Sequence, residues 1–122
     1  MAWMANRLTP NQKSLRIVKE REWQNLVIQL ATSMGWKHYH PPDNKPINGR
    51  IQKIVAGFPD LVLVKDGRLI FAELKRETGR LSPEQIEWLR ELEACGTEAY
   101  VWKPSQLQEV KETLAKKSTT RP

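Results

Sequence analysis

The chain has 122 residues, 39% of them hydrophobic and 28% charged, with a formal net charge of +6. That length fits one domain and leaves no room for two. No apolar run approaches the ~18 residues that span a bilayer, the first residues lack the apolar stretch of an export signal, and the single cysteine, Cys95, excludes a disulfide framework. One cysteine and two histidines, His38 and His40, cannot by themselves fill a structural zinc site. A small, basic protein is expected, cytoplasmic and without a membrane partner.

The charge is uneven. Residues 1–60 hold nine Lys/Arg against four Asp/Glu, whereas residues 61–122 hold eleven against ten. Positive charge gathered in one part suggests a polyanionic partner, nucleic acid first. The same balance also serves solubility.

Residues 1–13 contain Pro10 and show no sustained period, so they read as a flexible arm. Residues 14–115 read as the folded domain and 116–122 as a frayed tail. Trp23, Val27, Leu30, Ala31 and Met34 fall on one face of a helix, which Gly35 suits as a terminator. Trp36 to Tyr39 fits a short strand. The stretch from His40 to Arg50 holds three prolines and a glycine and reads as a loop. It is basic at Lys45, Arg50 and, just after, Lys53. A long basic loop in a small domain is more often functional than not.

Asp60-Leu61-Val62-Leu63-Val64-Lys65 is a β-rich run, followed by Asp66-Gly67, a preferred pair for a two-residue hairpin turn. Arg68 to Lys75 is the return strand. Both faces of this hairpin are apolar, so burial on both sides is expected. Ser82-Pro83-Glu84-Gln85 starts a second helix, with Ser82 as N-cap, Pro83 at the first position and Gln85 completing a capping box. Ile86, Leu89 and Leu92 give it an apolar stripe, and Gly96 ends it. Thr97 to Trp102 reads as a third buried strand. Ser105 is the candidate cap of a last helix with Leu107, Val110 and Leu114 on one face. Trp23, Trp88 and Trp102 lie at core spacings, while Trp3 in the arm is a candidate interface anchor. The order predicts an α/β fold, a small mixed β-sheet flanked by helices.

The hairpin register follows from its turn. If Asp66-Gly67 is the loop, Lys65 pairs with Arg68 and Asp60 lies opposite Glu73 on one sheet face. Two carboxylates so placed repel each other among apolar neighbours, and a divalent cation resolves the conflict because hard cations take oxygen ligands. Lys75, two residues beyond Glu73, shares that face. Two carboxylates, a metal and a lysine suit phosphodiester hydrolysis: the metal lowers the pKa of water and polarises the phosphoryl oxygen, and the lysine orients water or stabilises developing charge. The plainer reading is a hairpin end with solvated charges.

Gly57-Phe58-Pro59-Asp60-Leu61, Phe71-Ala72-Glu73-Leu74-Lys75, Gly79, Ser82-Pro83-Glu84-Gln85 and Val101-Trp102-Lys103-Pro104 together resemble the VRR-NUC (virus-type replication-repair nuclease) family, within the PD-(D/E)xK nucleases. The likeness runs from about Glu20 to about Leu114. It implies a restriction-endonuclease-like fold and a DNA nuclease dependent on Mg²⁺ or Mn²⁺. It makes Asp60 and Glu73 metal ligands, the Leu74 carbonyl a third, and Lys75 the catalytic lysine. It adds a glutamate from the first helix, Glu20 with Glu22 as rival, and a glutamine beside the site, Gln85, whose alternative role is the capping box alone. His40 is at most a phosphate contact. Lys45, Arg50 and Lys53 become candidate DNA-binding residues. Compact members of the family resemble Holliday-junction resolvases, which implies a homodimer acting on branched DNA, in a bacterial or phage-infected cell. A flap, nick or single-strand nuclease is the alternative. A non-catalytic DNA-binding module is the rival from another class, although it would not need Asp60, Glu73 and Lys75 together.

Overall fold

Helix α1 (Glu20–Ser33) starts where the Glu22 side chain accepts the Lys19 amide at 2.9 Å, so helix begins at Glu20 rather than directly after the arm. The computed structural model describes residues 16–42, 46–47, 50–51 and 55–118. The arm at 1–13 lies outside them. Trp23, Val27 and Ala31 form the buried stripe of α1. Gly35 then takes a φ of +91°, the left-handed conformation that lets the chain leave the helix and enter β1 (Lys37–Tyr39).

The segment expected as a loop carries a two-stranded ribbon, β2 (Pro46–Ile47) antiparallel to β3 (Arg50–Ile51), with Ile47 opposite Arg50. Asn48-Gly49 stands between them in sequence, a pair favoured in two-residue connections. Three prolines in this stretch mark a loop, and the Asn48-Gly49 pair within it suits the short ribbon. Lys45, Lys53 and the side chain of Arg50 lie outside the described residues.

β4 (Leu61–Lys65) and β5 (Arg68–Leu74) form the expected hairpin. Asp66 and Gly67 have φ values of 47° and +81°, both left-handed, as the turn that matches strand twist requires. Lys65 pairs with Arg68 and Leu61 with Ala72. After α2 (Pro83–Ala94) the chain returns as β6 (Glu98–Trp102), which runs parallel to β5 with Leu74 opposite Trp102. The sheet order is β1-β4-β5-β6, and α3 (Leu107–Ala115) follows. Among the described residues this is the expected α/β arrangement, a small mixed sheet with three α-helices.

The two faces of the sheet are covered unequally. On one, Leu61, Leu63, Ile70, Ala72, Leu74 and Trp102 are sealed beneath Trp23, Val27 and Ala31 of α1 and Val110 and Leu114 of α3. On the other, α2 packs Leu89 on Ala99 and Val101, with Ile86 and Leu92 beside them. That helix reaches only the β6 side, so Val64 and Leu69 at the hairpin tip stay 43% and 37% exposed. The expected burial on both sides therefore fails for the tip, because one short helix cannot span four strands. The contrast has a measurable consequence. Leu63→Ala should cost about 2–5 kcal/mol of stability, and Val64→Ala, one residue away, less than about 1 kcal/mol. Urea unfolding of both variants checks this.

Three further expectations change. Trp88 is half-buried outside the core, its indole donating to the Ala56 carbonyl at 3.1 Å. Ser105 does not cap the last helix: it lies in a 3₁₀ turn, Pro104–Gln106, and its own amide donates to the buried Glu77 carboxylate. The tail is pinned at its start, since Arg68 donates to the Lys116 carbonyl at 2.8 Å while pairing with Glu98.

Candidate active site

Asp60 sits on the bend just before β4, directly after the buried Pro59. Its Oδ2 accepts the Leu74 amide at 2.9 Å, a bond across the open end of the hairpin that holds the carboxylate beside the end of β5. Its backbone carbonyl is 2.6 Å from His40 Nδ1. A carbonyl only accepts, so the His40 proton lies on Nδ1 and ties the end of β1 to the Asp60 backbone. His40, expected to be at most a phosphate contact, thus holds the backbone of Asp60.

Glu73 is 1% exposed, and neither of its carboxylate oxygens has a hydrogen-bond partner as an ionised group. An unpartnered buried carboxylate is costly. Burial first, then the close Asp60 carboxylate and its negative charge, push Glu73 up to about 10. The nearby Lys75 charge opposes this shift and Glu20 adds to it. The structure thus brings Glu20, Asp60 and Lys75 each into electrostatic reach of Glu73.

Lys75 is the first residue past β5. Its amide donates to the Trp102 carbonyl at 3.0 Å, and the Trp23 indole donates to the same oxygen at 2.9 Å. One carbonyl thereby joins the strand end carrying Lys75 to the helix turn carrying Glu20. Glu20 and Glu22 separate on the same grounds. Glu22 is exposed and occupied at the Lys19 amide, whereas the Glu20 charge acts on Glu73. Gln85 completes its capping box in both directions, accepting the Ser82 amide at 2.8 Å and donating its own amide to the Ser82 hydroxyl at 3.1 Å. Its side-chain oxygen is therefore engaged, and its NH₂ faces no such demand.

Glu77 was missed from sequence. It is 3% exposed and accepts the Ser105 amide, fastening the segment after Lys75 to the start of the 3₁₀ turn. The alternation Glu73, Lys75, Glu77 carried a signal, but nothing local shows that a residue beyond the strand is buried.

A divalent cation fits this donor set. Two adjacent carboxylates, one with both oxygens buried and unpartnered, are what a hard cation stabilises. Among the described residues no three or more His, Cys, Asp or Glu side chains gather into a cage. Mg²⁺ commonly binds through one or two carboxylates and fills its other positions with water and phosphate, so a pair of carboxylates is enough for it.

No helix among the described residues is long and apolar enough to cross a membrane. Neither a curated protein nor a solved structure matches the chain. A family model does match, the VRR-NUC domain, over residues 11–106, a span that takes in α1, the hairpin, α2, β6 and all four clustered charges. The fold is accordingly of the PD-(D/E)xK type, the activity that of a nuclease acting on DNA, and the chain belongs to the VRR-NUC domain family.

Proposed function

We propose that the protein is a metal-dependent, structure-selective DNA endonuclease of the Holliday-junction-resolvase kind, working as a homodimer. The observation that carries the catalytic reading is Glu73: a buried carboxylate with two unpartnered oxygens, beside Asp60 and within reach of Lys75. In this reading Asp60, Glu73 and the Leu74 carbonyl hold Mg²⁺ or Mn²⁺. The ion, when bound, supplies a Lewis acid for the phosphoryl oxygen and lowers the pKa of water. Lys75 orients the attacking water and offers an N–H to the charge that develops on the phosphate. Glu20 holds a second water by hydrogen bonding. Asp60 keeps its orientation because the Leu74 amide and His40 hold it at two atoms.

The exposed Val64 and Leu69 favour the homodimer, since they leave apolar sheet surface for a second copy. A dimer sets two sites across a two-fold axis, as paired cuts on a four-way junction require. Labelled junction, flap, single-strand and duplex DNAs, incubated with and without Mg²⁺ or Mn²⁺, test the reading. Paired symmetric cuts on the junction, abolished by chelator, are expected. Undiminished cleavage in excess chelator would sink the metal mechanism. A monomer in light scattering that cuts flaps or single strands, but not junctions, would replace the resolvase reading with the flap and single-strand alternative.

A further inference from the structure

A cleft of about 560 Å³ opens directly beside Asp60, within the size range of small-ligand sites. Tyr39, Pro41, Pro42 and Phe58 form its apolar walls, and Asp60 and Glu84 stand at its acidic rim. None of the described residues lining it is a lysine or arginine. Apolar walls with carboxylates beside them suit an aromatic ring that carries amino groups. Resting on the nuclease reading above, we propose that this cleft takes one unpaired nucleobase, next to the phosphate held at Asp60 and Glu73.

The stacking surface is Tyr39, which is 58% exposed at the end of β1. Base–aromatic stacking tolerates any sequence because every base has a π-face. The acidic rim then adds a preference, since carboxylates accept from exocyclic amino groups such as cytosine N4. An intact duplex keeps its bases stacked and paired, so only a branch point, flap or single strand can present such a base without added cost.

The cleft is built before any ligand arrives. On one side, the Trp88 indole holds the Ala56 carbonyl at 3.1 Å, and the Phe58 ring packs edge-on against Trp88, with centroids 5.0 Å apart. Gly57, at φ +83°, approaches α2 so closely that a Cβ would fall 2.4 Å from the Glu84 carbonyl carbon. On the other side, His40 fastens the end of β1 to the Asp60 carbonyl. Walls fixed in this way lose little freedom when a base enters.

The test is DNA affinity measured in chelator, where no strand is cut, by fluorescence anisotropy on a single-strand and a flap substrate. An abasic site is moved one nucleotide at a time along the unpaired strand. We expect one position at which removing the base weakens binding about tenfold. Tyr39→Ala should bind the intact strand about tenfold more weakly and lose that position dependence, while Tyr39→Phe keeps both. Circular dichroism checks that the variants fold, and Tyr39→Leu replaces the alanine variant if it does not. A flat abasic scan with the native protein, or a scan unchanged in Tyr39→Ala, overturns the proposal. Cleavage of the same DNAs with Mn²⁺ is measured separately. Cutting with a flat scan overturns the base site alone, and a position-dependent scan without cutting supports the base site while overturning the nuclease reading.

Discussion

Asp60→Asn is expected to lower cleavage by about a thousandfold or more while leaving the fold intact. The amide oxygen of asparagine still accepts the Leu74 amide, and the backbone bond to His40 is untouched, so the hairpin end keeps its geometry. The charge that, in the proposed reading, shares a cation with Glu73 is gone. A loss of several kcal/mol in transition-state stabilisation corresponds to that drop in rate.

The variant should also change how stability depends on pH. In the metal-free native protein Glu73 is held far above its ordinary 4.5, to about 10, by burial and by Asp60. Between those values the folded state binds a proton that the unfolded state has released, so stability falls as pH rises through the window. Lowering the pH from 8 toward 5 should stabilise the metal-free protein. Asp60→Asn removes the negative neighbour and should lower the upper end of that window, so the fall in stability levels off at a lower pH while the part due to burial remains. Chemical denaturation across pH in chelator checks this. The same upper limit of the window in both proteins would show that Asp60 does not act on Glu73.

Lys75→Ala should cost about 10²–10³ in rate with little change in DNA affinity. Its backbone amide, which bonds the Trp102 carbonyl, is unaffected by the substitution, so β5 stays registered on β6. The side chain is half-exposed and adds little burial. The positive charge does matter to Glu73, because Lys75 is the neighbour that favours its ionised form. Metal affinity should therefore change modestly, and the main loss should fall on the turnover rate with KM nearly constant. Single-turnover cleavage at saturating Mn²⁺ separates the two effects. A fall in thermal stability matched by unchanged activity per folded molecule would make Lys75 structural.

How far the site was legible varies by residue. Asp60 opposite Glu73 was readable because one turn sets the whole hairpin: Asp66 and Gly67 both accept a left-handed backbone, and a two-residue loop leaves one register. The ladder itself stops at Leu61 and Ala72, and Asp60 is carried across by its carboxylate rather than by its backbone. Gln85 in its capping box was equally readable, because a cap involves only residues three apart.

The sequence by itself therefore determined the hairpin, the start of α2 and the pairing of the two carboxylates, since each rests on contacts within a turn or between strands joined by one. The tertiary structure decided the rest. The Glu20 charge reaches Glu73 because Trp23, bonded to the Trp102 carbonyl, sets the position of α1 against the strand end that carries Lys75. Glu77 is buried only because the turn at Ser105 lies over it. The hairpin tip is exposed because α2 covers β6 and not β4. His40 reaches Asp60 because β1 pairs with β4 across twenty-odd residues of intervening chain. Short-range turn and cap chemistry is written in neighbouring residues, but which side chains are buried depends on which distant element comes to rest on them.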